Sequence, residues 1–305
     1  MARHPLGGGT HPGRLPVGPL AVPGATASRA PEVEEEGPPG GLIGDLAPPA
    51  TPGKQGDARI DDDAASAFDR SYGEPLLGPV VVLVPAYNEE GSIGEVLDAV
   101  PPTLADHHVS RLVVVDGSTD DTAAVADYHG AYVCVAATNR GQGAALRLGY
   151  RVAVSHGAQW VIVVDADGQY DPGEAERLLG PLVDGRGDLV LGSRRLGRAE
   201  VDDPVRYAGV LAFSALITAL TGYRITDSSS GFKALTAKVA STVELTEPQY
   251  QAAELLLATV AAGFKVTEVP VTMRRRVTGR SKKAHNLAYG YHYARVIVRT
   301  WLRRR

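Results

Sequence analysis

The 305-residue chain contains a single cysteine, Cys134. An internal disulfide is therefore excluded, and the composition fits a reducing compartment. Cys134 lies in the apolar run 132–135, the setting of a small core residue rather than of a nucleophile. Long apolar runs are also missing. The longest, 210–220, is too short to cross a bilayer, which takes about 20 residues. No apolar core follows Arg3, so the N-terminus does not read as a signal peptide. Gly-x-Gly-x-x-Gly is absent after the first apolar strand, where Pro85-Ala86-Tyr87-Asn88 stands instead. That argues against a dinucleotide-dependent oxidoreductase. A long basic Gly-rich loop for a nucleoside triphosphate is missing at the same place, which disfavours a nucleotidyltransferase. No internal repeat is visible.

Charge of one sign is missing locally. Residues 274–305 carry 11 Lys/Arg and no Asp/Glu, although the whole chain has a net charge of −4. A basic C-terminus implies an anionic partner: phosphate, a membrane surface or nucleic acid. Residues 1–78 hold 12 of the 21 prolines and 11 acidic against 6 basic side chains. Without apolar periodicity such a segment does not bury enough surface to offset its conformational entropy, so 1–78 reads as a disordered extension.

From residue 79 apolar strands and helical patterns alternate. Strands are expected over 79–86, 111–115, 131–136, 160–164 and 188–192, and helices over 90–100, 120–129, 143–155 and 174–183. Near-continuous Val/Ile/Leu runs of this kind indicate an α/β fold with a mostly parallel central sheet and helices on both faces. Helices are then expected over 204–220, 250–262 and 286–302, and short strands over 231–236 and 265–271. The domain so defined spans 79–284, and 285–305 forms an amphipathic basic helix.

Polar residues gather where strands end. Asp165-Ala166-Asp167 closes Val161-Ile162-Val163-Val164 with two carboxylates spaced i, i+2, which point the same way along a strand. Two hard oxygen donors suit Mg²⁺ or Mn²⁺ carrying a diphosphate. Pro85-Ala86-Tyr87-Asn88-Glu89-Glu90 and Asp116-Gly117-Ser118-Thr119-Asp120 close two neighbouring strands. Carboxylates at adjacent strand ends repel unless a cation or hydrogen-bond donors sit among them, so the cluster reads as a ligand site. Asp116 is placed to accept hydrogen bonds from a base or ribose. Asn139-Arg140-Gly141-Gln142-Gly143 lets backbone amides approach a phosphate at a helix start. Gly192-Ser193-Arg194-Arg195 offers a guanidinium to an anion.

Together with Gly141-Gln142-Gly143-Ala144-Ala145, these strings resemble the family 2 glycosyltransferases of GT-A fold. Asp227-Ser228-Ser229-Ser230-Gly231-Phe232-Lys233, Glu268-Val269-Pro270-Val271 and Arg276-Val277-Thr278-Gly279-Arg280-Ser281-Lys282 resemble the dolichyl- or polyprenyl-phosphate mannose synthase branch. The resemblance covers residues 79–285. It implies one nucleotide-sugar-binding domain, in which Pro85, Tyr87, Glu89, Asp116, Gly141, Asp165 and Ala166 hold a GDP- or UDP-linked sugar. Asp165 and Asp167 with Gln169 would hold the metal, and Arg194, Arg276 and Lys282 would gather around the phosphates. Two departures stand out. Val115 replaces the first Asp of the usual Asp-Asp-Gly-Ser, and Gln142 takes the place of a common Lys.

The implied reaction is inverting transfer of a hexose. A hydroxyl acceptor requires a base, for which Asp227 and Glu254 are the candidates. A phosphate monoester is already anionic and requires only basic residues to position it. The Arg/Lys cluster at 274–283 favours the second, a polyprenyl phosphate. On the last helix Leu287, Tyr291, Ala294, Val298 and Trp301 share one face, with His292, Arg295, Arg299 and Arg303 on another. That pattern suits peripheral contact with a membrane interface, at its cytoplasmic side. Alternatives are transfer to a hydroxyl of a soluble glycan or metabolite, a nucleotidyltransferase and a non-catalytic nucleotide-binding protein. Nucleic acid is not expected as a partner.

Overall fold

Val80-Val81-Val82-Leu83-Val84 has no polar position to offer to water, and β1 (Val80–Ala86) accordingly runs through the sheet interior, buried along its whole length. The computed structural model describes residues 54–200, 204–247, 249–275 and 286–303. The elements come in the order α1 (Lys54–Tyr72), β1, α2 (Ile93–Asp98), β2 (Thr103–Leu104), β3 (His107–Asp116), α3 (Thr122–Tyr128), β4 (Tyr132–Ala136), α4 (Gln142–Ser155) and β5 (Trp160–Val163). A 3₁₀ turn (Pro172–Glu174) leads into α5 (Ala175–Val183). Then come β6 (Leu189–Ala199), α6 (Pro204–Thr221), β7 (Lys233–Thr236), α7 (Ala237–Thr242), α8 (Gln251–Ala261), β8 (Val266–Met273) and α9 (Asn286–Arg303).

Eight strands form one sheet, in the order β4-β3-β1-β5-β7-β6-β8, with the short β2 antiparallel to the start of β3. β4, β3, β1 and β5 are mutually parallel; β7 is antiparallel to both β5 and β6. Alternation along β1 sorts the core into two layers. Val81 and Leu83 pack with Phe68, Leu146, Leu148, Leu256 and Ile297 on one face. Val80, Val82 and Val84 pack with Ile93, Leu97 and Leu178 on the other. Burying these side chains stabilises the fold by roughly 1.5–3 kcal/mol each on transfer scales.

The expectation of disorder across 1–78 does not hold for its described part. α1 carries Ile60, Ala64, Phe68 and Tyr72 at helical spacing, and Phe68 is fully buried among Tyr72, Tyr132 and His156. An amphipathic stripe of four residues was diluted by the surrounding prolines. α9 packs on the domain through Tyr293, Val296, Ile297 and Thr300, which are buried, while Tyr291, Val298 and Leu302 are exposed. β6 runs seven residues past Gly192, so Arg194 belongs to a strand. Cys134 is buried, and burial pushes its thiol up to about 12, as a core cysteine should be.

Candidate active site

Chain order reverses at β1, because β3 and β4 lie on one side of it and β5 on the other. Open α/β sheets bind ligands in the crevice at the carboxyl ends of such strands. At that edge β1 gives way to Tyr87-Asn88-Glu89, and β5 gives way to Val164-Asp165-Ala166-Asp167.

The loops after β1 and β3 are laced together. The Asn88 amide donates to Ser118 Oγ at 3.0 Å, and the Thr119 amide returns a bond to Asn88 Oδ1 at 2.8 Å. The Glu89 amide donates to Thr122 Oγ1 at 2.9 Å, and Glu89 Oε2 accepts from Ser92 Oγ at 3.0 Å. Asn88 adopts φ of 52°, a left-handed conformation that Asn tolerates better than most residues. Pro85 is buried inside β1, with Tyr87 half-buried just beyond it. These contacts fix the rim of the sheet between β1 and β3.

Asp116 is buried and already engaged. Its Oδ2 accepts the backbone amides of Arg140 (2.7 Å) and Gly141 (2.9 Å), and its Oδ1 accepts Arg140 Nε at 3.3 Å. Burial pushes its carboxyl above the usual range, against the pull of Arg140 and the two amides. The repulsion expected between neighbouring strand-end carboxylates is thus relieved at Asp116 by donors within the chain. Gly117, at φ 69°, makes the close approach possible, since a Cβ there would lie 2.2 Å from the Asn139 amide nitrogen.

Gln142, the next residue but one after Arg140, reaches from the first turn of α4 to Asp165, with Nε2 2.7 Å from Oδ1. A neutral amide, not a charged group, therefore meets Asp165. The β5–β7 pairing ends at Val163↔Lys233, and two residues beyond each strand Gly231 lies against Asp165. A Cβ on Gly231 would lie 2.0 Å from Asp165 Oδ2. Asp167 is largely buried and accepts the Gln169 amide at 3.1 Å, and Ala166 between the two acids is buried. Gln169 Nε2 donates to the Arg274 carbonyl at 3.4 Å, which ties the Asp165–Gln169 turn to the end of β8.

The donor set fits a hard divalent cation. Asp165 and Asp167 have carboxylate oxygens and Gln169 an amide oxygen to offer, and the absent side chain at Gly231 lets the Asp165 carboxylate take its place there. Mg²⁺ characteristically takes one or two carboxylates and completes its shell with water and substrate phosphates.

Arg194 and Asp227, expected to serve a phosphate and a proton respectively, are bound to each other. Arg194 Nε and Nη2 each lie 2.6 Å from one Asp227 oxygen, and Nη2 also donates to Ser229 Oγ at 2.7 Å. Asp227 is fully buried. Burial would push its carboxyl up, but the Arg194 hydrogen bonds and charge hold it below the usual range, which suits a poor base. Glu268 supports the same loop by accepting the amides of Thr226 and Asp227 at 2.8 and 2.9 Å. Glu254 is also buried. Its oxygens accept the Thr246 amide, the Thr246 hydroxyl and the Glu247 amide at 2.9, 2.7 and 3.0 Å, so it anchors a turn. Arg276 and Lys282 lie outside the described residues.

Lys233 escaped the sequence-based expectations. It is fully buried on β7, and its Nζ has no hydrogen-bond partner in the structure. Burial pushes it down to about 8, with the Asp165 charge opposing the shift. A lysine inside an apolar strand beginning two residues from Gly231 was the available signal. Arg140 was equally legible as an arginine in a glycine loop, but its two partners are distant in sequence.

The model for glycosyl transferase family 2 matches residues 81–243, the stretch from β1 to the end of α7. The chain belongs to this family. The family 2 chain is 30% identical over 222 residues to an undecaprenyl-phosphate mannosyltransferase of Micrococcus luteus, covering 67% of this chain and 86% of the relative. It is 30% identical over 197 residues to a dolichyl-phosphate hexose transferase of Haloferax volcanii, covering 65% and 83%. Among solved structures it resembles a glucosyl-3-phosphoglycerate synthase of Mycobacterium tuberculosis crystallised with Mn²⁺, UDP and glucosyl-3-phosphoglycerate. The TM-score is 0.57 at 23% identity, covering 79% of this chain and 83% of that one. The fold is GT-A, and the protein is a glycosyltransferase.

Proposed function

We propose that this transferase moves a hexose from a nucleotide diphosphate sugar, GDP- or UDP-linked, to a polyprenyl phosphate with inversion, in a reaction that depends on Mg²⁺ or Mn²⁺. The observation that carries the choice of acceptor is the state of the two candidate bases. Asp227 is held ionised by Arg194 and Glu254 is consumed by the 246–247 turn, so neither suits deprotonation of a hydroxyl. An anionic phosphate oxygen attacks without giving up a proton. Relatives whose names specify polyprenyl-type phosphate acceptors support the same reading.

In this reading Pro85, Tyr87, Glu89, Asp116, Gly141 and Ala166 line the place of the nucleoside and its phosphates, with the Arg140 and Gly141 amides spent on Asp116. The acceptor phosphate oxygen bonds to the anomeric carbon from the side opposite the donor diphosphate. The bond from that carbon to the diphosphate oxygen breaks, and the electron pair leaves with the nucleotide. Negative charge grows on the leaving group. A cation held by Asp165, Asp167 and Gln169 would supply compensating charge there. Gln142 and Gly231 keep the Asp165 carboxylate aimed at that position. The Arg194–Asp227 pair sets the segment 226–230 beside the site, and Arg276 and Lys282 are assigned to the phosphates.

α9 fits peripheral attachment at the cytoplasmic face of a membrane. Its exposed Tyr291, Val298 and Leu302 alternate with Arg295 and Arg299. Among the described residues no helix is long and apolar enough to cross a membrane. Incubation of the purified protein with radiolabelled UDP- or GDP-hexoses, Mn²⁺ and polyprenyl phosphate tests the reading. Label entering the lipid phase, and lost when EDTA is added, is the expected result. Label entering only soluble hydroxyl acceptors overturns it.

A further inference from the structure

The family match begins at residue 81, yet α1 at 54–72 is wired into the site. Asp61 is buried, and its Oδ1 accepts Arg140 Nη1 at 2.6 Å while its Oδ2 accepts Arg147 Nε at 2.9 Å. Arg140, itself buried, lies between Asp61 and Asp116, and its Nη1 also donates to the Asp57 carbonyl at 3.2 Å. Two further pairs, Asp62 with Arg151 and Asp69 with His156, join the same helix to α4.

The chain of contacts is continuous. Asp61 on α1 holds the Arg140 side chain, and Arg140 holds Asp116 at the end of β3. Asp116 in turn fixes the Arg140 and Gly141 amides, and two residues on Gln142 meets Asp165 at the end of β5. A buried guanidinium shared by two carboxylates has a defined position. With one carboxylate removed it is left with unequal pull and an unsatisfied side, at a cost that the surroundings relieve by moving. The part free to move is the loop 139–142, whose Arg140 and Gly141 amides are bound to Asp116.

We propose that α1 is a positioning element for the nucleotide-sugar site, acting through Asp61, Arg140 and Asp116. The inference rests on the donor-binding reading given above. Asp61 touches no substrate; it sets where Asp116 and the glycine loop sit, so its effect falls on donor affinity rather than on the chemical step.

Calorimetric titration of UDP and GDP with MnCl₂ into the full chain tests it, alongside steady-state kinetics. Asp61→Asn is expected to weaken nucleotide binding and raise donor KM about tenfold, with kcat within twofold of wild type. Asp61→Glu is expected to recover part of the loss. Asp62→Asn, which removes only the exposed pair with Arg151, is expected to match wild type. Coupling is reciprocal, so nucleotide should also slow amide exchange in α1 of the wild-type protein, a measurement that needs no variant. Folded Asp61→Asn with unchanged affinity overturns the proposal. So does nucleotide that protects the 81–170 region while leaving α1 exchange unaltered, and this result decides alone if Asp61→Asn fails to fold. Failure of either nucleotide to bind wild-type protein overturns the donor-site reading itself.

Discussion

Gly231, two residues before β7, lies against Asp165, two residues after β5, and the side chain it lacks is the space that the Asp165 carboxylate fills. A methyl group there would lie 2.0 Å from Oδ2, so one of the two must shift. Asp165 Oδ2 ends a rotatable side chain, so it yields before the Gly231 backbone does. Gly231→Ala is therefore expected to lower transfer about 100-fold, the scale of a misplacement near 1 Å, with a melting temperature close to wild type. An activity assay beside a thermal melt checks this. Near-normal activity would show that Asp165 does not need its observed position.

Gln142 holds the same carboxylate from the other side through Nε2 at 2.7 Å. Gln142→Ala removes that hydrogen bond, which is worth about 1.5–3 kcal/mol when the acceptor is charged. The Mn²⁺ concentration for half-maximal activity should rise at least several-fold, while Gln142→Lys should hold it near wild type. Equal metal requirements across the three proteins would remove Gln142 from the account.

The Arg194–Asp227 pair is buried and doubly hydrogen-bonded. Breaking such a pair from one side leaves an uncompensated charge and costs about 3–5 kcal/mol. Arg194→Ala should unfold at clearly lower urea concentration than wild type. Because the Asp227 carboxyl sits below its ordinary value, its contribution is present above the unfolded pKa and is lost as pH falls through the folded one. The stability gap between Arg194→Ala and wild type should accordingly narrow in acid. A constant gap from pH 7 to pH 3 would contradict the assignment.

Lys233 carries the opposite sign. Its folded pKa of about 8 lies below the 10.5 of a free lysine, so between those values the unfolded chain binds more protons. Stability then rises with pH through this window, by up to roughly 3 kcal/mol at 1.36 kcal/mol per unit. Wild type should gain stability relative to Lys233→Met between pH 8 and pH 10. Parallel melting curves across that range would mean that Lys233 finds a partner that offsets its burial.

How much of this was legible depends on how local each signal is. The runs at 80–84, 112–115 and 161–164 announce buried parallel strands through composition alone. The acidic groups at their ends announce a site, because strands that end together bring the residues beyond them together. α1 was hidden, because four apolar residues among twelve prolines do not alter a composition taken over 78 residues. The pairing of Asp61 with Arg140 spans 79 positions and leaves no periodic trace. The same holds for Arg194 and Asp227: each reads singly as a reactive group, and only the fold shows that they satisfy each other.

β7 enters the sheet against the direction of its neighbours, so its first residues arrive at the rim that β5 leaves. The segment between α6 and β7 therefore needs no crossover helix. Within it Asp227 is tied to Arg194 and Gly231 lies against Asp165, so the end nearest β7 is held to the rim by its own contacts. The residues that follow α6 directly, Gly222 and Tyr223, carry no such tie to the rim and are where length or chemistry can change at least cost to the donor-facing turns.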